Sequence, residues 1–230
     1  GIVCCMPPHL TECGEDKVES VDRMAIDLGL STEEAQELVS PGDRVLVRAP
    51  QKRLLGTRIT SPALDDRAGC AALIRCAQLL RNQTLSCGLT ILLSSREEAD
   101  GQGAQTGAYS LEPTEAIAVD VSFAAQPGVD PAKCGKLGGG PMIGMAPILN
   151  RPMTNRLLEL AKEHEIPYSM EIMGGETGTN ADEIAVSRTG VPTAMVSIPL
   201  RYMHTPVEVI DTQDVAYTAR LLAEYVKGVK

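Results

Sequence analysis

From Ile59 onward the chain alternates short apolar runs with amphipathic stretches, and no other feature constrains its fold as strongly. Runs of strand length lie at Gly88 to Ser94, Ala116 to Val121, Tyr168 to Met173 and Thr193 to Ile198. Helical patterns over Asp66 to Leu80, Gly103 to Leu111, Met153 to His164 and Ala181 to Thr189 separate them. Apolar strands that alternate with helices are buried on both faces. This predicts an α/β fold with a mostly parallel mixed sheet covered by helices on both sides. In the helix from Asp66, the pattern puts Ala71, Ile74, Ala77 and Leu80 on the inward face. A last helix is expected from an Asp211 N-cap to near Lys227, with Asp214 adding negative charge to its first turn.

The first 56 residues read differently. Cys4-Cys5-Met6-Pro7-Pro8-His9 cannot be helical through its prolines and reads as an extended edge or loop. Ser31 and Glu34 have the capping-box spacing of a helix that runs to about Val39. After the turn Ser40-Pro-Gly-Asp43, the alternation in Arg44-Val-Leu-Val-Arg48 predicts a strand. The expected organisation is a small mixed unit over residues 1–56 and a larger domain over 57–230.

Charge and cysteine usage narrow the function classes. Lys and Arg total 21 against 30 Asp and Glu, a net charge of −9. With no basic block, the chain is a poor match to a phosphate backbone, so nucleic acid is not expected as a partner. No apolar run approaches the 18 or so residues of a membrane span, so no membrane partner is expected either. Seven cysteines with no CxxC pair, and no signal-like start, point to reduced thiols in the cytoplasm. Adjacent Cys4 and Cys5, with Cys13, suit a tetrahedral metal site poorly and are assigned no chemistry.

In α/β sheets functional groups gather beyond the carboxyl ends of strands. Asp65 and Asp66 follow the extended stretch Arg58 to Ala63, Glu97 and Glu98 follow the run to Ser94, and His204 follows the run to Ile198. Asp120 interrupts the apolar strand Ile117-Ala-Val-Asp-Val121, where a carboxylate has to be paired, metal-bound or neutral. Taken singly, Asp65 could cap a helix, Glu97-Glu98 could be a solvated face, and His204 could be structural. Convergence at one sheet edge argues otherwise, because clustered carboxylates repel unless a multivalent cation holds them. Carboxylates with imidazole suit zinc, cobalt or manganese. Gly138-Gly-Gly-Pro141 lacks the setting of a phosphate loop and reads as a bend near the cleft. Arg201 is expected to pair with Glu208, and His164 to be exposed on a helix face.

Four stretches then carry a specific resemblance: Ala63-Leu-Asp-Asp-Arg-Ala-Gly69, Ser95-Arg-Glu-Glu-Ala-Asp-Gly-Gln-Gly-Ala104, Ala118-Val-Asp-Val121, and Ser197-Ile-Pro-Leu-Arg-Tyr-Met-His-Thr-Pro-Val-Glu208. In this order and spacing the chain resembles the tetrahedral (TET) aminopeptidases, the metallopeptidase family that includes glutamyl aminopeptidase and proteins once labelled endoglucanase M. Its opening residues resemble the second half of that family's PDZ-like dimerisation insert, His9 included. The resemblance implies an aminopeptidase that trims short peptides with a free N-terminus, using two divalent ions. Asp65 would bridge the ions, Glu98 and His204 would complete the first, and Asp120 would bind the second. Glu97 would be the general base toward the bridging water. It also implies a homo-oligomer built from dimers, commonly a dodecamer. The family's further ligand, a His in a His-x-Asp motif, lies upstream of the segment matched here, so the second ion keeps Asp65 and Asp120 from this chain. That departure motivates an alternative expectation, a non-catalytic or regulatory relative with an incomplete metal site. Asn180 stands where the family often has Asp. Polysaccharide hydrolysis is disfavoured, since it needs two carboxylates free to flank a sugar.

Overall fold

The computed structural model describes residues 1–4 and 21–229. They fall into two compact units, Gly1–Val47 and Arg48–Lys230. In the first unit, β1 (Ile2–Cys4) pairs antiparallel with β2 (Ala25–Asp27). Helix α1 (Thr32–Leu38) starts at the expected cap: Glu34 donates its N–H to Ser31 Oγ at 3.3 Å, and Ser31 donates its own to Glu34 Oε2 at 2.9 Å. The strand expected over Arg44 to Arg48 does not form. Alternation favours a strand only when a ladder partner satisfies its backbone, and Val45, Leu46 and Val47 are all exposed. Of the N-terminal cysteines and the Pro-Pro-His, only Cys4 falls within the described residues.

The second unit is an α/β layer structure. Its strands are β3 (Lys52–Arg53), β4 (Arg58–Ser61), β5 (Ala116–Phe123), β6 (Met142–Met145), β7 (Ser169–Ile172), β8 (Thr193–Arg201) and β9 (Glu208–Asp211). Its helices are α2 (Leu64–Leu80), α3 (Glu97–Asp100), α4 (Gln102–Leu111), α5 (Arg151–Glu163), α6 (Asn180–Ala185) and α7 (Thr212–Gly228). The strands form one mixed sheet of order β3-β4-β9-β8-β6-β7, with β5 along the other edge of β8. Only β5/β8 and β6/β7 pair in parallel, whereas β3/β4, β4/β9, β8/β9 and β6/β8 are antiparallel. The parallel share is therefore smaller than the sequence pattern suggested, because β4 and β9 are short, partly polar strands that lack the apolar-run pattern. Lys52 and Arg53 pair with Thr60 and Ile59, which builds this stretch into the larger unit.

Strand β8 is the spine. Thr193 to Leu200 are all buried, as a strand covered on both faces must be. Ala194, Val196, Ile198 and Leu200 join the main core with α2, α5 and α7, while Met195 packs with Ala118, Leu149 and Ala181 on the α6 side. Helices thus cover both faces.

Two expectations need correction. The run Gly88 to Ser94 forms no strand and joins no ladder, and Leu89, Leu92 and Leu93 remain exposed. Helix α2 buries Leu64, Ala68, Ala72, Cys76 and Leu80, a stripe at intervals of four. Ala71 and Ile74 face outward instead. Between Leu64 and Leu80 this face is made of small residues, Ala68, Ala72 and Cys76, where α2 packs against both β5 and α7. No helix among the described residues is long and apolar enough to cross a membrane.

Candidate metal centre

Three of the residues singled out in the sequence come together. His204 Nε2 lies 3.2 Å from Asp65 Oδ2 and 3.1 Å from Glu98 Oε2. One ligand atom from each of Asp65, Glu98 and His204 fits within a 4.8 Å span. Asp65 comes from the irregular first turn of α2, Glu98 from α3, and His204 from the turn between β8 and β9. Their backbones are locally unusual. Ala63, Arg96, Tyr202 and His204 all have positive φ, between 52° and 64°. Non-glycine residues there cost about 1–3 kcal/mol each and persist where surrounding structure holds them.

Asp65 is not a helix cap, the local alternative for it. The N-cap of α2 is Ala63, without a side-chain cap bond, and Asp65 and Asp66 have non-helical angles. The free N–H groups of Leu64 and Asp65 point instead to Glu208 Oε2, at 2.6 and 3.2 Å. Glu208 Oε1 accepts the His204 N–H at 2.9 Å. The expected Arg201–Glu208 pair is therefore absent. Arg201 sits opposite Val209 in the β8/β9 ladder, so Glu208 points to the other face. Buried Arg201 Nε has no partner.

Asp120 and Glu97 line the surroundings. Asp120 is 8% exposed and accepts the Val121 N–H at 2.8 Å. It lies outside the three-residue group. Asp66 accepts the Gly69 N–H at 2.7 Å, and a Cβ on Gly69 would come within 2.2 Å of Asp66 Oδ2. Asn180 Nδ2 donates to Ser94 Oγ at 2.9 Å, tying α6 to the segment before Glu97 and Glu98.

The electrostatics favour positive charge. Burial, then Glu98, pushes Asp65 up to about 7, with His204 opposing. Burial, then Asp120, pushes Asp66 up to about 8. Asp120 rises to about 7 through burial, offset by the Val121 N–H and reinforced by Glu97 and Asp65. Burial, then Glu98, raises Glu97. Crowded carboxylates that hold protons this tightly suit a divalent cation, which relieves the same repulsion more strongly. Two carboxylates and an imidazole also match the donor set of zinc or cobalt. On geometry and donor chemistry the group fits one such ion.

His164 is half-buried at the end of α5 with Nε2 3.6 Å from Glu224, so it is not simply exposed. Gly138 and Gly140 form the expected bend, and both donate backbone N–H groups at 2.8 Å to Asp214. Asp214 is fully buried, so its carboxylate holds this bend rather than serving as a solvated first-turn charge. A cleft of about 460 Å³ lined by Tyr109, Glu183, Val186 and Arg188 contains none of the expected site residues.

With that geometry established, comparison with known proteins is informative. The pattern of the M42 glutamyl aminopeptidase family matches residues 1–221. A lysyl aminopeptidase of Pyrococcus furiosus is 35% identical over 234 positions, covering 100% of this chain and 67% of that protein. An aminopeptidase from the archaeon Desulfurococcus kamchatkensis superposes with a TM-score of 0.86 at 30% identity, over 99% of this chain and 64% of its own. The TET1 peptidase of Pyrococcus horikoshii, described as assembling into a tetrahedron or a large octahedral shell, superposes at 0.77 with 27% identity, over 97% of this chain and 67% of its own. The chain spans about two thirds of the length of these relatives.

Proposed function

The chain belongs to the M42 glutamyl aminopeptidase family, and from that premise we propose that it serves a metal-dependent aminopeptidase acting on short peptides with a free N-terminus. The observation that carries the reading is the convergence of Asp65, Glu98 and His204 on one point. These three residues hold one divalent ion, zinc or cobalt by preference, with manganese also suited to the donors. Asp120, together with Asp65, serves a second. Bound there, such ions would polarise a peptide carbonyl and lower the pKa of water so that hydroxide is available as the nucleophile.

The chain's own residues supply the rest. Glu97 accepts a proton from the attacking water and hands it to the departing amine, a role suited to a carboxylate whose proton affinity burial has raised. Glu98, beside it, is held at His204 and so keeps a ligand role distinct from Glu97.

The smaller unit, Gly1–Val47, is read as part of a PDZ-like dimerisation insert and the larger, Arg48–Lys230, as the catalytic domain, which moves the boundary expected after residue 56 back to residue 47 because Lys52 and Arg53 pair into the large sheet. A homo-oligomer assembled from dimers, up to a dodecamer, follows by analogy with the TET relatives, and a cytoplasmic setting follows from the cysteine pattern. One observation favours a second reading, a non-catalytic subunit: the ligands that come together account for a single ion.

Glu97→Gln tests the main reading. Turnover of an aminoacyl p-nitroanilide is expected to fall by about 10²–10⁴-fold, with the bound cobalt per chain unchanged. Retained turnover would remove Glu97 from the mechanism. Wild-type protein that binds cobalt yet has no turnover on any short peptide would favour the non-catalytic subunit.

A further inference from the structure

Glu208 is a carboxyl group 2% exposed with no ion-pair partner among the described residues, and a buried carboxyl group has to be satisfied by hydrogen-bond donors. Its donors come from two separate parts of the chain. Leu64 and Asp65 donate to one oxygen and His204 to the other, across 144 and 143 residues in the first case and four in the second. Glu208 itself is fixed, because it opens β9 and pairs with Ser61 at the end of β4. The segments it holds are those with left-handed backbone: Ala63 beside Leu64, and Tyr202 and His204 in the turn. Such conformations need outside restraint, and Glu208 provides it on both sides at once.

Resting on the metal-centre reading above, we propose that Glu208 is a positioning residue that locks the Asp65 and His204 segments into one rigid ligand pair before any ion arrives. A carboxylate at this point supplies both length and two acceptor oxygens. Aspartate keeps the charge but is one methylene too short to reach both segments. Glutamine keeps the length but replaces one acceptor with a donor facing an N–H. The two substitutions therefore separate positioning from simple attraction of a cation by negative charge.

The test compares metal-stripped wild-type protein with Glu208→Asp and Glu208→Gln. Cobalt affinity is read by calorimetry and ligand geometry by the visible absorption of the cobalt form. Both variants are expected to bind cobalt about 10–100-fold more weakly, with altered absorption. Wild-type affinity in Glu208→Asp would reduce Glu208 to a remote charge and overturn the proposal. A second measurement needs no variant to fold. In metal-free wild-type protein, hydrogen exchange at the Leu64, Asp65 and His204 amides is expected to report one common opening free energy. Clearly different opening energies for the two segments would overturn the lock. Wild-type protein that takes up no cobalt rejects the metal-centre reading beneath the proposal, and the ligand-positioning role with it. A variant that binds like wild type rejects Glu208 alone.

Discussion

Asp65, Glu98 and His204 were legible in the sequence because each follows a strand-like run and each belongs to a donor type that suits a cation. Glu208 was not. Its neighbour in sequence with opposite charge, Arg201, offered an obvious partner, and only the β8/β9 register shows that the two side chains leave opposite faces. Glycines tell a similar story. Gly138-Gly-Gly-Pro141 reads as a bend, but the sequence does not say which glycine is indispensable. In the structure Gly140 has φ of +83°, and a Cβ there would lie 1.7 Å from the Pro167 carbonyl oxygen. Gly140→Ala must therefore move backbone, not merely a side chain. The expected loss is about 2–5 kcal/mol, combining the left-handed penalty with overpacking. Urea unfolding checks it, and a loss within about 0.5 kcal/mol would mean that the bend relaxes freely. Gly69 differs, since the obstacle is the Asp66 carboxylate, the end of a side chain.

At the scale of elements, pattern located helices better than strands. α1, α4, α5 and α7 begin within two residues of the expected positions, because caps and apolar periodicity are local properties. Strands depend on partners. Two stretches with strand patterns, Arg44 to Arg48 and Gly88 to Ser94, join no ladder, while β6 and β9 form without any apolar run having marked them. The phase of α2 shows a further limit. Periodicity placed Ile74 inward because it is large and apolar, yet it is 52% exposed while Ala72 is fully buried. Ala72→Leu is expected to cost about 1–3 kcal/mol through overpacking against the α7 side. Ile74→Ala is expected to change stability by less than about 0.5 kcal/mol. Equal effects in denaturant unfolding would contradict this phase.

For the whole molecule, Asp214 joins parts of the chain that the sequence keeps apart. It lies in the last helix and holds the bend that leads into β6. Burial, partly offset by the Gly138 and Gly140 N–H groups, pushes it up to about 6 from 3.8. A folded-state value above the unfolded one means that the native state binds the proton more tightly. The resulting stabilisation is full below about pH 3.8 and is lost as pH rises through about 6. The difference is worth about 3 kcal/mol. Wild-type protein should therefore lose about that much stability relative to Asp214→Asn between pH 4 and pH 7. Parallel stability–pH curves would sink the assignment. By itself, the sequence determined the α/β class, the helix starts and the residue types able to hold a cation, because these follow from local propensity, periodicity and donor chemistry. Tertiary structure alone decided which strands are paired, which side of α2 is buried, and which carboxylates support the site rather than form it. Those outcomes depend on register and on contacts between separate elements of the chain, some of them more than a hundred positions apart, and no local pattern encodes them.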